Sequence, residues 1–198
     1  MMTEKIAVLV DSGCDIAPEC IEEFGLWLLP LHIDYPEKAY LDGVDIDPQM
    51  VYDRYPQDYP KTSTPSIQEV LDKLDEIADA GFTHVIAVCI SSGLSGTWNA
   101  VRLAARHQDR IEVYVYDSKN ISVGSGLLGI WASYKASRGM SFSELCRALE
   151  DKFYRMAQET GENCIIVCDR GTMDISAYME PEMWDDLMRT IGTSTAEL

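Results

Sequence analysis

The chain has 198 residues, a formal net charge of −17 and a hydrophobic share of 46%, as expected of a globular protein with one sizeable core. The negative charge excludes nucleic acid as a partner, because a phosphate backbone requires a basic surface. No apolar run approaches the roughly 20 residues that cross a bilayer, and no basic and apolar leader opens the chain. We therefore predict a cytoplasmic protein without a membrane span.

The cysteines do not predict a metal or redox site. They contain no CxxC pair, and most stand in apolar runs, where a thiol behaves as a small hydrophobic group. We expect neither a disulfide nor a bound metal, and no cofactor is predicted. The cysteines are Cys14, Cys20, Cys89, Cys146, Cys164 and Cys168.

The first part of the chain predicts two strands around a short helix. An apolar run from Lys5 to Val10 predicts a buried parallel strand that ends at Asp11. A helix follows, with Pro18 in its first turn and Gly25 at its end. A second apolar run, Leu26 to Ile33, predicts the next strand.

The stretch from Asp34 to Ser66 is rich in Tyr, Pro and Asp and predicts a long excursion from the core. One short helix is expected within it, with Asp47 as its N-cap before Pro48. Loops of this length inside a compact domain are uncommon and often functional. A surface flap without a role is the alternative.

After the excursion, strands and helices alternate. Capping boxes at Ser66 and Ser141 each predict the start of a helix. The predicted order is a helix from Ser66 to Gly81, a strand from His84 to Ile90, a helix from Thr97 to His107, a strand from Ile111 to Tyr116, a helix from near Ser122, a helix from Ser141, a strand from Cys164 to Cys168 and a weak helical tail.

This alternation predicts an α/β fold in which helices flank both faces of a parallel sheet. We place the α/β domain at residues 1–160 and a strand with a helical tail at residues 161–198. Ligands of such sheets bind outside the carboxyl ends of the strands. The loops that follow the strands are therefore the ones to inspect for a site.

Three loops after predicted strands carry hydroxyl groups, and we expect them to converge on one edge of the sheet. They are Asp11 to Gly13, Ser91 to Thr97, and Asp117 to Lys119. The second has glycines that let a ligand approach, hydroxyls that donate hydrogen bonds, and a helix N-terminus with unpaired N–H groups. This combination indicates an anion site, although capping and turn residues have the same composition. A GK[ST] ending is missing, which weighs against a nucleotide.

A second hydroxyl cluster lies at Thr62 to Ser66. Ser66 is explained by helix capping. Pro65 disfavours the helical conformation at Thr64, so Thr62 and Ser63 are expected to be extended, with side chains free to bind a ligand. A polar linker is the alternative.

Catalysis is the second hypothesis. The histidines His32, His84 and His107 stand outside the candidate loops, so no nucleophile and base pair is visible. Asp11 and Asp117 could act as acid and base or bind a cation in an enzyme acting on a phosphorylated or carboxylated metabolite. A third hypothesis is an interaction module without a pocket.

Several motifs together resemble the DegV family over roughly residues 5 to 150. Members of that family hold a long-chain fatty acid and in many bacteria present it to a separate fatty acid kinase. The resemblance therefore implies a lipid-binding protein and not an enzyme. The motifs are IAVLVDSGCDI, LPLHI followed by YLDGVDI, TSTPS from Thr62, SSGLSGTWNA from Ser91 and YDSKNISVGSGLL from Asp117.

The resemblance also assigns the site. Its implied carboxylate ligands are Thr62, Ser63, Ser91, Ser92 and Ser95. Further pocket candidates are Asp11, Ser12, Gly93, Asp117 and Ser118.

The chain departs from the family pattern in three places. Thr64 stands where the family usually has Gln, and Lys61 where a Thr is common. Family members also continue well past this length, so residues 161–198 are interpreted as the remnant of a second domain that encloses the acyl chain. In a homodimer, the second copy would supply the missing wall of the acyl-chain site. The alternatives are that the ligand is smaller or that this chain is a relative unable to bind a fatty acid.

Overall fold

The computed structural model describes residues 4–159 and contains two sheets. A four-stranded parallel sheet has the order β2-β1-β6-β7, and a three-stranded antiparallel sheet has the order β4-β3-β5. In chain order the strands are β1 (Ile6–Asp11), β2 (Trp27–Leu29), β3 (His32–Tyr35), β4 (Lys38–Leu41), β5 (Lys61–Ser63), β6 (His84–Cys89) and β7 (Glu112–Asp117).

Two helices begin at the predicted capping boxes. In the first capping box the Glu69 N–H donates to Ser66 Oγ at 3.2 Å, and the Glu69 carboxylate accepts from the Ser66 N–H at 2.7 Å. At the second box the Glu144 carboxylate accepts from the Ser141 N–H at 3.0 Å. The helices are α1 (Pro18–Glu23), α2 (Pro48–Arg54), α3 (Ile67–Asp79), α4 (Thr97–His107), α5 (Val123–Ser137) and α6 (Phe142–Glu159).

Helices cover both faces of the parallel sheet, which confirms the predicted fold class. Successive side chains of a strand point to opposite faces. Val8 and Val10 of β1 therefore pack into one core with α1, α5 and α6. Ala7 and Leu9 pack into a second core with α3 and α4.

The prediction of one strand from Leu26 to Ile33 is wrong, because the chain changes sheets inside this run. β2 ends at Leu29, and Pro30 has no N–H with which to continue the ladder. The Leu31 N–H donates to Ser12 Oγ at 2.9 Å. β3 then begins at His32 in the antiparallel sheet.

The predicted excursion of Asp34 to Ser66 contains more structure than one helix. Helix α2 is present with its predicted cap, since the Met50 N–H donates to Asp47 Oδ1 at 2.8 Å. The strands β4 and β5 were not predicted, and both pair with β3. The excursion is thus a small antiparallel sheet with a helix in its connection.

The predicted strand from Cys164 to Cys168, the helical tail and the boundary after residue 160 lie outside the described residues and stay predictions. Within residues 4–159, none of the helices is long and apolar enough to cross a membrane.

Candidate functional site

The three candidate loops meet at the carboxyl edge of the parallel sheet, as expected. β1, β6 and β7 are adjacent, with Val10 paired to Val88 and Cys89 paired to Asp117. Neighbouring strands lie about 4.8 Å apart, so the loops that follow them are within side-chain reach. This edge is called the rim below, and it comprises residues 11–13, 91–96 and 117–120.

Hydrogen bonds join the last two segments of the rim. The Ser91 N–H donates to the Asn120 carbonyl at 2.7 Å, and the Ser118 N–H donates to the Cys89 carbonyl at 3.1 Å. The Ser92 N–H donates to Asp117 Oδ1 at 3.0 Å. The backbone around Ser92 is therefore fixed on both sides.

Thr64 is the residue of the second hydroxyl cluster that lies next to the rim. The Thr64 methyl carbon lies 3.4 Å from the position that a Cβ on Gly96 would occupy. Thr62 and Ser63 belong to β5, where they pair with Ile33 and His32, and both are exposed. Thr64, the residue after Ser63, therefore lies beside the loop that carries Ser91, Ser92 and Ser95.

A hydrogen bond joins β3 to α3 next to the strand β5. His32 Nε2 lies 3.0 Å from Glu69 Oε1, and Glu69 also accepts from the Ser66 hydroxyl at 2.7 Å. Hydrogen bonds from Ser66, with a smaller part from His32, hold the pKa of the Glu69 carboxyl below its usual value. One carboxylate therefore links the strand beside Ser63 to the helix that follows it.

The predicted carboxylate ligands differ in how the protein already uses them. Ser92 is exposed, and Ser91 is half-buried, with its Oγ accepting from the Gly93 N–H at 3.2 Å. Ser92 Oγ accepts from Lys119 Nζ at 3.3 Å, and the Ser92 side chain also hydrogen-bonds the Asp117 carboxylate. Ser95 instead accepts from the Thr97 N–H at 3.2 Å and bonds the Thr97 hydroxyl at 2.9 Å, at the start of α4.

Two of the further candidates, Ser118 and Ser12, form hydrogen bonds with backbone groups of the protein. Ser118 is fully buried; its Oγ accepts from the Asn120 N–H at 3.1 Å and donates to the Asn120 carbonyl at 3.2 Å. Ser12 accepts from the Leu31 N–H and so fixes the point where the chain leaves the parallel sheet. Both shape the loops that carry the exposed hydroxyls.

Asp11 is a buried carboxylate of the rim. Its side chain accepts from the Ile90 N–H at 2.9 Å, and the Cys14 thiol lies 3.8 Å from its other oxygen. Burial raises the pKa of the Asp11 carboxyl to about 6, against the opposing effect of the Ile90 and Gly13 N–H groups. Only 1% of Asp11 is exposed, although Asp11 is among the residues that line the groove beside α1.

Asp117 forms an ion pair with Lys119 at the surface of the rim. Lys119 Nζ lies 2.5 Å from Asp117 Oδ2 and 3.3 Å from Ser92 Oγ. Burial acts to raise the pKa of the Asp117 carboxyl, but hydrogen bonds from Lys119 and Ser92 outweigh it and hold that pKa below its usual value. Asp117 is thus ionised at neutral pH, and it holds the Ser92 backbone in place.

Apolar surface adjoins these polar groups. Leu94 of the rim is 64% exposed, and Ile121, the residue after the last rim segment, is 39% exposed. On the other side of β1, a groove of about 930 Å³ runs between α1 and β2. Ser12 lies on the wall of the groove, together with the side chains of Ile16, Ile21 and Leu28.

Sequence reasoning did not single out Lys119 or Glu69. Glu69 was recognised only as part of a capping box, and its second bond, to His32, crosses between elements that are distant in sequence. Lys119 stands in a predicted loop, next to two residues that were named. Its position after a strand of a parallel sheet is the signal that could have found it.

Fold and site together define an α/β protein that presents uncharged hydrogen-bond donors at the carboxyl edge of a parallel sheet. Residues 5–160 match the model of the family described as uncharacterised protein, DegV family. The chain belongs to the DegV family.

Relatives of known sequence agree with this assignment. A DegV domain-containing protein from Clostridium acetobutylicum is 36% identical over 148 residues, which are 75% of this chain and 53% of the relative. One from Clostridium perfringens is 38% identical over 146 residues, which are 74% of this chain and 52% of the relative. The chain therefore spans about half the length of the curated relatives it matches.

Solved structures share the fold. DegV from Bacillus subtilis, described as a fatty acid binding protein, matches with a TM-score of 0.72 at 28% identity, over 75% of this chain and 54% of that chain. A stearic acid-binding protein from Eubacterium ventriosum matches with a TM-score of 0.65 at 29% identity, over 75% of this chain and 52% of that chain.

Proposed function

We propose that this protein binds a long-chain fatty acid by its carboxylate. The donors are the hydroxyls of Thr62 and Ser63 on one side and of Ser91 and Ser92 on the other, with Ser95 beside them. The observation that supports the proposal is that the Thr64 methyl group lies next to Gly96, so that one residue of the first hydroxyl cluster adjoins the loop that carries the second.

Uncharged donors suit a carboxylate in this setting. Each hydrogen bond to a charged group stabilises it by roughly 1.5 to 3 kcal/mol, so a few aligned hydroxyls can replace the water around a head group. The net charge of −17 gives a diffuse repulsion that salt screens. The bonds formed at contact distance therefore determine the affinity.

The apolar surface suits the tail of the same ligand. Leu94, two residues after Ser92, and Ile121 are exposed apolar side chains, and the groove beside α1, which Ser12 lines, offers apolar volume in the range of small-molecule sites. A ligand that is polar at one end and hydrocarbon along its length matches this division. The descriptions of the Bacillus and Eubacterium structures, as fatty acid and stearic acid binding proteins, support the same ligand class.

The finer features of the proposal concern partners and location. We propose that the protein is a carrier and not an enzyme, that it acts in the cytoplasm, and that it presents the bound acid to a fatty acid kinase. Burial of the Asp11 carboxyl supports the carrier function over acid–base catalysis. A homodimer that covers the acyl chain is part of this proposal.

Replacing Ser92 with alanine tests the head-group site. We expect the Kd for palmitate to rise about tenfold, because one charge-assisted hydrogen bond is lost. A calorimetric titration of the full chain measures this. Ser137→Ala is the matched control, since that exposed hydroxyl donates to the Tyr134 carbonyl of its own helix. Equal affinities of the Ser92 variant, the control and the unchanged protein would contradict the assignment.

A further inference from the structure

We propose that a second copy of this chain binds to a surface of three exposed tyrosines and extends the wall of the groove beside α1. The inference rests on the proposed function, because it gives the homodimer of that proposal an interface. The surface is called the tyrosine patch below. It comprises Tyr52, Tyr55 and Tyr59, which are 70%, 60% and 64% exposed.

The three tyrosines form one continuous surface. Tyr52 stands in α2, and Tyr55 follows the last residue of that helix. The Tyr55 N–H still donates to the Val51 carbonyl at 3.2 Å, so the helical spacing extends to Tyr55, and residues three apart lie on one face of a helix. The ring centroids of Tyr55 and Tyr59 are 5.2 Å apart. The patch therefore runs from α2 into the turn that follows it.

The other side of α2 is attached to the antiparallel sheet by Arg54. Arg54 Cζ lies 4.2 Å from the ring centroid of Tyr35, and the guanidinium donates to Tyr40 Oη at 3.3 Å. It also forms an ion pair with Glu37. Side chains two apart on a helix do not face the same way, so Tyr52 lies on the side away from these contacts. A tyrosine has only two side-chain torsions, so little conformational entropy is lost when the patch binds a partner.

The patch adjoins the groove beside α1 through the first residue of α2. Pro48 lines the groove. Tyr52 follows Pro48 by four residues in the same helix, so the two side chains are neighbours on one face. A protein surface bound to Tyr52 therefore lies beside Pro48, where it lengthens the wall of the groove.

The area of the patch and the charges around it suit a second copy. A tyrosine offers roughly 200 Å², so the exposed parts of the three rings supply roughly 400 Å² of the roughly 800 Å² that each partner contributes to a stable complex. Tyrosine is also among the residues that dominate the binding energy of interfaces. The neighbouring residues Asp53, Asp58 and Lys61 carry both signs of charge. Because a two-fold pair brings the same surface of both copies together, a cation of one copy can meet a carboxylate of the other.

Sedimentation velocity of the full chain without ligand tests the pairing. We expect mostly dimer at about 100 μM, and a dissociation constant at least about tenfold higher when Tyr52→Ser and Tyr55→Ser are combined. Two copies with a net charge of −17 repel one another, so the dimer should be stronger in about 1 M than in about 0.1 M NaCl. A dimer that weakens with salt would be held by ion pairs and would overturn the role of the tyrosines.

Two further variants serve as controls. Tyr134→Ser removes a 42% exposed ring from α5 and should leave the dimer unchanged. Tyr55→Phe keeps the ring and should pair within about threefold of the unchanged protein. Because the changed rings are exposed, all variants should unfold at nearly the same urea concentration, which separates loss of the interface from loss of the fold.

Calorimetric titration with palmitate connects the pair to the groove. The variant with both serines should bind palmitate about fivefold more weakly, because part of the groove wall is lost. A dimer that is lost without any change in palmitate affinity overturns the inference, since the second copy then adds nothing to the groove.

The outcomes also separate the inference from the function beneath it. A monomer at about 100 μM overturns the inference and leaves the patch to a different protein, and palmitate binding by that monomer leaves the proposed function intact. A dimer that the two serines leave intact overturns the inference in the same way. A dimer that forms through the patch and binds no palmitate overturns the proposed function, and with it the role of the pair at the groove.

Discussion

Gly126→Ala is expected to destabilise the protein by about 1 to 3 kcal/mol, as overpacking of a core does, and to weaken palmitate binding. A Cβ at this position would lie 2.6 Å from the Cys14 carbonyl oxygen and 2.8 Å from Ile16 Cγ1. A backbone oxygen cannot rotate away as a side chain can. Helix α5 must therefore shift away from the turn at Ser12–Cys14, whose first two residues belong to the rim.

The same helix provides the control for this change. The three atoms nearest to a Cβ on Gly124 would all belong to the side chain of Asn120, with its Oδ1 at 3.1 Å, and a side chain yields more readily than a backbone oxygen. Gly124 is the second residue of α5, where the preference for alanine over glycine is smaller than the roughly 1 kcal/mol of a helix interior, so Gly124→Ala should be close to neutral. Urea unfolding of the two variants measures the difference, and equal free energies of unfolding would contradict the packing we describe.

Asp11 is expected to make the protein less stable as the pH rises from 5 to 8. Its pKa rises from an ordinary 3.8 to about 6 in the folded state, so folding favours the protonated form. The resulting stabilisation is fully present below the unfolded pKa and is lost as the pH rises through 6. The full effect is about 3 kcal/mol, of which about 1.4 kcal/mol falls between pH 5 and 8.

Asp11→Asn should remove this dependence, because an amide oxygen can still accept from the Ile90 N–H but carries no charge. The quantity to measure is the free energy of unfolding of the unchanged protein minus that of the variant. It should fall by about 1.4 kcal/mol between pH 5 and 8. Keeping the pH above the sequence pI of about 4.4 avoids the range of lowest solubility. A difference that stays constant over this range would show that Asp11 is ionised throughout.

The parallel sheet could be predicted because its signals are local. β1 and β6 are continuous apolar runs whose side chains are buried on both faces, and hydroxyl-bearing turns follow them. The capping boxes at Ser66 and Ser141 predict helix starts by the same hydrogen bonds that the structure contains. Strand and helix therefore follow from short stretches of sequence here.

The antiparallel sheet could not be predicted with the same rules. β4 and β5 have only four and three residues and are largely exposed, so they show no apolar run. The change of sheet after β2 was marked in sequence only by Pro30, whose missing N–H ends a ladder. The run from Leu26 to Ile33 stays apolar on both sides of that proline, and apolarity alone does not distinguish one sheet from another.

Individual residues of the candidate site could be predicted from sequence, but which of them lie close together could not. The position after a parallel strand selects Ser91, Ser92 and Asp117 without knowledge of their contacts. That Thr62 and Ser63 lie near them was implied by the resemblance to the DegV family and not by spacing. The contact that supports it, between Thr64 and Gly96, depends on how β5 pairs with β3, which no local pattern encodes.

Native mass spectrometry of the 198-residue protein, purified from bacterial cells without detergent, tests the central claim most directly. We expect a species heavier than the protein alone, and the added mass should be recovered by solvent extraction as a free fatty acid. Ser92→Ala should carry less of it. A spectrum with the bare protein only, which stays unchanged when palmitate or oleate is added, would contradict fatty-acid binding at this site.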